Sequence, residues 1–204
     1  MIAVVDYGMG NLRSVAKAIE RVGGKPEITC DPLVVKRAEK VILPGVGAFG
    51  DAMKNLRSLG LDDAVKSSIR AGKPFLGVCL GLQLLFESSD ENGPHEGLGV
   101  IAGNVVRFKG DAARADLKIP HIGWNSVEFV KSAPLFAGVP SGAYFYFVHS
   151  YFGAPRDRSV VAGETDYLCR FASAVWRDNV FACQFHPEKS QNRGLRVYEN
   201  FARM

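Results

Sequence analysis

The sequence predicts an α/β fold: a mostly parallel central sheet flanked by helices, with antiparallel strands added in the second half. Three observations predict it. The first half alternates short, continuously apolar runs with amphipathic segments, the order that folds as a parallel sheet covered on both faces. The apolar run Phe75-Leu76 enters Gly77-Val78-Cys79-Leu80-Gly81, a tight turn from a buried strand into a helical pattern. After residue 100 the chain changes to short strands separated by turn residues, the habit of antiparallel pairing.

Taken in order, Ile2-Ala3-Val4-Val5 reads as a strand buried on both faces. Asn11 is placed to cap a helix from Leu12 to Val22, with Leu12, Val15, Ala16, Ile19 and Val22 on one stripe, and Gly23-Gly24 ends it. Glu27-Ile28-Thr29 and Lys40-Val41-Ile42-Leu43 are the next strands, the second running into the loop Pro44-Gly45-Val46-Gly47. Helical patterns cover Asp51 to Leu56 and Leu61 to Ala71 before the Phe75 strand. Later strands are read at Val100-Ile101, Asn104 to Phe108, Tyr144 to Phe147, Ser159 to Ala162, Ala172 to Trp176 and Val180 to Cys183. A helix from Leu195 to Phe201 closes the chain. Ser88 to Gly97 and Gly110 to Pro120 carry the least regular pattern.

Composition narrows the classes. The 204 residues, 47% hydrophobic and 23% charged, fit one globular domain over 1–204. A net charge of +4 without a Lys/Arg run or arginine-rich arm gives no nucleic-acid footprint. No apolar stretch approaches the ~20 residues that cross a bilayer, and the first residues lack a signal-peptide pattern. Cys30, Cys79, Cys169 and Cys183 include no CxxC pair, which argues against a zinc ribbon or a disulfide framework and for a reducing, cytoplasmic location. No metal and no cofactor are expected.

Chemistry concentrates at the glycine-flanked cysteine. The turn is the cysteine form of a nucleophile elbow. Its glycines avoid a Cβ clash or a costly positive φ, and it aims the first unpaired helix amides at whatever sits on the Cys79 sulfur. The alternative for any lone cysteine is a small core hydrophobe. A thiolate needs a base, and His186 is the best placed of four histidines, following a buried strand in His186-Pro187-Glu188. Glu188, two residues on, can turn back to orient the imidazole. Pro44-Gly45-Val46-Gly47 stands at the same sheet edge, as a donor of backbone amides to an oxyanion or as a plain strand-to-helix turn. Gly8-Met9-Gly10 lacks the Lys of a P-loop and the third Gly of a dinucleotide fingerprint. Gln83 lies one helical turn beyond Cys79, within reach of a substrate or simply solvated. His95 and His121 read as surface or packing residues, and Trp124 as a core aromatic by default.

Together these residues resemble the class I, or triad, glutamine amidotransferases, marked by the cysteine elbow with Gln83 and the late His186-Pro187-Glu188. Within that family the chain is similar to the glutaminase subunits of imidazole glycerol phosphate synthases. The likeness rests on Val5-Asp6-Tyr7-Gly8-Met9-Gly10-Asn11-Leu12-Arg13-Ser14, Leu43 to Phe49, His121-Ile122-Gly123-Trp124-Asn125, Tyr146 to Tyr151, and Gln184 to Ser190. It runs from end to end, with Cys183 standing where Thr or Ala is usual. The resemblance implies a flavodoxin-like fold with catalytic Cys79, His186 and Glu188. It implies an oxyanion hole at Val46, Gly47 and Leu80, and glutamine seated by Gly45, Gln83, Ser150 and Tyr151. It also implies a heterodimer with a (β/α)8-barrel cyclase that receives unprotonated ammonia, with Trp124 and Lys189 at the interface. The glutaminase pattern fills the chain, which leaves the ammonia to be consumed by that partner. A peptide around Val46 that turns inward on assembly would couple the two sites, with Gly45 and Gly47 easing the turn. Competing readings are a binding module with an inert elbow, a stand-alone cysteine hydrolase on a similar sheet, and the glutaminase of another pathway.

Overall fold

The computed structural model describes residues 1–110 and 117–204. Its first half alternates as the sequence predicts: β1 (Ile2–Val5), α1 (Leu12–Arg21), β2 (Pro26–Thr29), α2 (Pro32–Arg37), β3 (Lys40–Gly45), α3 (Phe49–Ser58), α4 (Leu61–Arg70) and β4 (Phe75–Cys79). A single helical turn, α5 (Leu80–Gln83), follows the cysteine. Then come β5 (Phe86–Ser89), β6 (His95–Glu96), β7 (Ile101–Arg107), β8 (His121–Phe129), β9 (Ala143–His149), β10 (Tyr151–Pro155), β11 (Val161–Asp166), β12 (Arg170–Arg177), β13 (Val180–Cys183) and α6 (Gln191–Arg203).

Nine strands form one sheet in the order β2-β1-β3-β4-β13-β12-β11-β8-β9. The pairs from β2 to β13 are parallel, and those from β13 to β9 antiparallel. Side chains alternate across it as a pleated strand requires. Ile2, Val4, Ile42, Leu76 and Val78 join Val15 and Ile19 of α1 and Val197, Tyr198 and Phe201 of α6 on one face. Ala3, Val5, Val41, Leu43 and Phe75 meet Phe49, Met53 and Leu56 of α3 and Leu61 and Val65 of α4 on the other. Each large apolar side chain buried there contributes ~1.5–3 kcal/mol, so α1 and α6 are held by packing more than by caps. Asn11 occupies the N-cap of α1 but makes no side-chain cap bond; only its carbonyl accepts, from Ser14 and Val15.

Two corrections follow. The second-half strands do not all extend the parallel core: β10, β7, β5 and β6 form a separate four-stranded sheet. The long strand β8 contains the His121–Asn125 motif, which carries no strand alternation of its own because Gly123 and Asn125 interrupt it. The segment 88–97 is partly ordered as β5 and β6, whereas 111–116 lies outside the described residues. Among the described residues no helix is long and apolar enough to cross a membrane.

Candidate active site

Topology assembles the site. β3 and β13 flank β4 on either side, and all three point the same way, so the loops leaving them converge at one carboxyl edge. The register pairs Gly45 with Cys79 and Cys183 with Val78. The glycine loop therefore runs past one side of Cys79, and His186 follows on the other.

Cys79 itself carries the strain of the turn, at φ 56° and ψ −110°. A non-glycine residue held there costs ~1–3 kcal/mol and persists only where its surroundings enforce it. The two glycines serve close approach: a Cβ on Gly77 would lie 2.7 Å from the Gly81 carbonyl, and one on Gly81 only 1.8 Å from that of Leu43. Cys79, Leu80, Gln83, Val46, Gly47, Glu91, Pro120, Val148, His149, Ser150 and Tyr151 line a cavity of about 360 Å³. That volume suits a small molecule. Gly45 is not in its lining. It is packed behind the loop, where a Cβ would meet the Tyr7 hydroxyl at 2.1 Å. Tyr7 donates to the Pro44 carbonyl at 2.9 Å and so fixes the root of the loop.

His186 is buried, its Nδ1 2.7 Å from Glu188 Oε1, while Tyr198 donates to Glu188 Oε2 at 3.2 Å. Pro187 fixes the extended entry into the short 3₁₀ turn Pro187–Lys189 that brings Glu188 back to the ring. The opposite nitrogen, Nε2, is buried and has no hydrogen-bond partner among the described residues. Burial alone would lower the pKa of this imidazole. The Cys79 charge, joined by the bond to Glu188 and its charge, outweighs that and pushes it up to about 10. A negative sulfur and a protonated imidazole thus stabilise each other, with the carboxylate holding the ring's far side. Such a group can deliver a proton to a leaving atom on the sulfur and later withdraw one from water.

The expected residues divide clearly. Cys79, Val46, Gly47, Leu80, Gln83, Ser150 and Tyr151 meet at the cavity, and His186 and Glu188 meet each other behind the thiol. Gln83 is buried, not solvated, and donates to the Tyr151 carbonyl at 2.8 Å and to Gln184 Oε1 at 3.1 Å. Trp124 is not a core residue: it is 46% exposed beside Ile122 and Tyr144 at the β8–β9 edge of the sheet. Lys189 Nζ lies 5.4 Å over the ring of Tyr146, which packs edge-on to Trp124. His121 is buried and bonded to His149 at 3.1 Å.

Two participants escape the motif reading. Glu91 lines the cavity and accepts from the Phe49 amide at 2.8 Å through Oε2. It sits in an irregular loop, and nothing in its sequence context marks it. Gln184 donates to the Cys79 sulfur at 3.7 Å. Its signal was present: a fully buried amide in the apolar run Val180 to Phe185 needs a partner.

Comparison with known proteins agrees with this geometry. The family model "Glutamine amidotransferase class-I" matches residues 3–204. "Imidazole glycerol phosphate synthase subunit HisH" of Syntrophotalea carbinolica is 54% identical, with 100% of both chains covered. The protein of the same name from Rhodopirellula baltica is 56% identical over 99% of this chain and 97% of its own, and that from Aquifex aeolicus 54% over 98% and 95%. Among solved structures, a "glutamine amidotransferase" superposes with a TM-score of 0.76 at 20% identity, covering 100% of both chains. "PurLQS from Thermotoga maritima" gives 0.74 at 19% identity, covering 98% and 96%. The last two share the fold. The matched family model and the full-length relatives carry the conclusion: this chain belongs to the class I glutamine amidotransferases.

Proposed function

We propose that the chain is the glutaminase subunit of an imidazole glycerol phosphate synthase, acting in histidine biosynthesis as one domain over residues 1–204. The observation that carries the reading is the strained Cys79 lining the 360 Å³ cavity, with His186 paired to Glu188 at 2.7 Å beside it. The Cys79 thiolate attacks the side-chain carbonyl carbon of glutamine. The Leu80 amide and an amide of the Val46–Gly47 loop hold the oxyanion. Protonated His186 gives its proton to the departing nitrogen, so ammonia leaves and a glutamyl thioester remains. His186 then takes a proton from water, whose oxygen attacks the thioester and releases glutamate and the thiolate. Glu188 keeps the proton on Nδ1 throughout, which leaves Nε2 for both transfers.

Glu91 is the acidic residue of the cavity lining and fits the substrate's α-ammonium, while Gln83, Ser150 and Tyr151 seat its polar end. The partner is a (β/α)8-barrel cyclase that uses the ammonia, in a heterodimer. Exposed Ile122 (59%), Trp124 (46%) and Tyr144 (58%) support docking at the β8–β9 edge. Two backbone contacts tie that edge to the triad. His186 N donates to the Tyr146 carbonyl at 2.9 Å, and Tyr146 N to Ser190 Oγ at 3.0 Å. Gly47, at φ +100°, permits the Val46 peptide to turn on assembly. Four free cysteines fit a cytoplasmic setting.

Incubation with an electrophilic glutamine analogue, followed by peptide mass spectrometry, tests the core of this reading. One adduct on Cys79, blocked by glutamine and accelerated by the cyclase, is expected. Labelling that ignores glutamine or falls on Cys30 or Cys169 would overturn it.

A further inference from the structure

A chain of buried and half-buried polar groups runs behind the glutamine pocket, and its first members, Asn125 and His121, take no part in the chemistry above. It begins at Asn125, whose amide orientation is fixed by two neighbours. Oδ1 accepts from the Ser126 amide at 2.8 Å, and Nδ2 donates to the Asp166 carbonyl at 2.9 Å. The same Nδ2 stands 3.3 Å from His121 Nε2. An amide nitrogen only donates, so His121 Nε2 accepts and its proton sits on Nδ1. That proton points at His149 Nε2, 3.1 Å away, which must accept in turn. The His149 proton is therefore on Nδ1, 2.9 Å from the Tyr151 carbonyl. Gln83 donates to this same carbonyl. Reversing any link would set two acceptors against each other at Tyr151.

The rings have little freedom to relieve such a reversal. His121 and His149 are directly paired across β8 and β9. His121 is stacked on Phe147 and Tyr167 at 4.8 and 3.9 Å, and His149 lies 5.2 Å from both Phe108 and Phe171. Burial holds both imidazoles neutral near pH 7, His121 at about 4 and His149 at about 3. Proton uptake thus does not scramble the order at neutral pH. Beyond Tyr151 the network reaches the nucleophile, through Gln83 to Gln184 Oε1 and from Gln184 Nε2 to the Cys79 sulfur.

We propose that Asn125 and His121 are positioning residues for the glutamine pocket: they impose the Nδ1–H tautomer on His149, which then holds the Tyr151 carbonyl, and with it the Ser150 turn, against Gln83. The proposal rests on the glutaminase reading of that pocket. Neither residue touches substrate; both act through His149. In water the Nε2–H form of an imidazole is the commoner one, so the opposite tautomer is a signature that packing alone would not produce.

The test combines ¹⁵N imidazole spectra of the full chain with glutaminase kinetics in the presence of the cyclase. Both His121 and His149 are expected to carry their proton on Nδ1. His121→Phe keeps the ring stack and removes the donor. It is expected to shift the His149 proton to Nε2 and to raise KM for glutamine roughly tenfold, the worth of one buried hydrogen bond, with kcat within about twofold. His121→Asn restores a donor near the position of Nδ1–H and is expected to recover most of that loss. A wild-type His149 protonated on Nε2 would overturn the proposal, and that spectrum stands even if a variant fails to fold. So would a folded His121→Phe with unchanged KM. A wild-type chain that releases no glutamate beside the cyclase would instead overturn the glutaminase reading, and the proposal with it.

Discussion

Mild acid will destabilise this protein before its carboxylates titrate. His121 and His149 ionise at about 4 and about 3 in the fold, against an ordinary 6.5. Burial is the leading cause in both. For His149 the bond to the Tyr151 carbonyl opposes it, and the neighbouring His121 and His186 reinforce it. The unfolded rings bind protons below 6.5 and the folded ones do not, so stability falls as pH falls through that window. From pH 6.5 to 5.0, ~1.4 kcal/mol per unit gives ~2 kcal/mol per ring. Half of the unfolded rings are already charged at the start, which trims the figure to about 1.5 each, or about 3 kcal/mol for the two. His186 has the opposite sign. Its folded pKa of about 10 leaves it protonated in both states below 6.5, and the stability it adds is lost only as pH rises toward 10. Glu39, Asp157 and Glu164 are lowered from 4.5, 3.8 and 4.5 and act at lower pH still. Urea unfolding followed by circular dichroism at pH 6.5 and 5.0 measures the loss. In the double variant His121→Phe, His149→Asn it is expected to shrink below about 1 kcal/mol. Equal stability at the two pH values, or an unreduced loss in the double variant, would refute the argument.

Four further outcomes are expected. Gly81→Ala drives a Cβ to 1.8 Å from the Leu43 carbonyl, a backbone atom with nowhere to go, and will destabilise the fold by about 3 kcal/mol or more in urea titrations. Gly47→Ala must hold φ +100° with its Cβ 2.6 Å from the Met9 methyl. Partner-stimulated glutamate release will fall roughly tenfold, and unchanged turnover would remove the loop from the oxyanion role. Glu188→Gln takes the charge from His186 and will lower kcat by about 10²–10⁴ while KM moves only a few-fold; steady-state kinetics decide. Trp124→Ala will weaken cyclase affinity by about tenfold or more in calorimetry, without altering the chain's own unstimulated glutaminase rate.

The parallel half of the fold was legible because its strands are buried on both faces and announce themselves as unbroken apolar runs: Ile2–Val5, Val41–Leu43 and Phe75–Leu76 needed no partner to be recognised. The second sheet was legible only in β7, read as strands at Val100-Ile101 and Asn104 to Phe108. Phe86–Ser89 is four residues with a polar end, and His95–Glu96 is two, so pairing and not pattern makes them strands. The cysteine turn was readable because a backbone constraint writes itself locally as two glycines, and the His-Pro-Glu motif because both partners sit within three residues. Long-range pairs leave no such trace. Glu91 meets Phe49, and Asn125 meets Asp166, only after the chain has folded. For Trp124 the residues alone left core as the default and only the resemblance placed it at an interface, because an aromatic residue in a strand carries no mark of which side solvent takes.

The central claim is a Cys79-dependent glutaminase that answers to a cyclase. The most direct measurement is glutamate release from glutamine by the purified chain, alone and with a cyclase subunit plus its ribonucleotide substrate, with Cys79→Ala alongside. Slow release alone, strong release in the complex and none from Cys79→Ala is the predicted result. Equal release with and without the cyclase would contradict the gating, and no release from a folded, partner-bound wild-type chain would contradict the glutaminase itself.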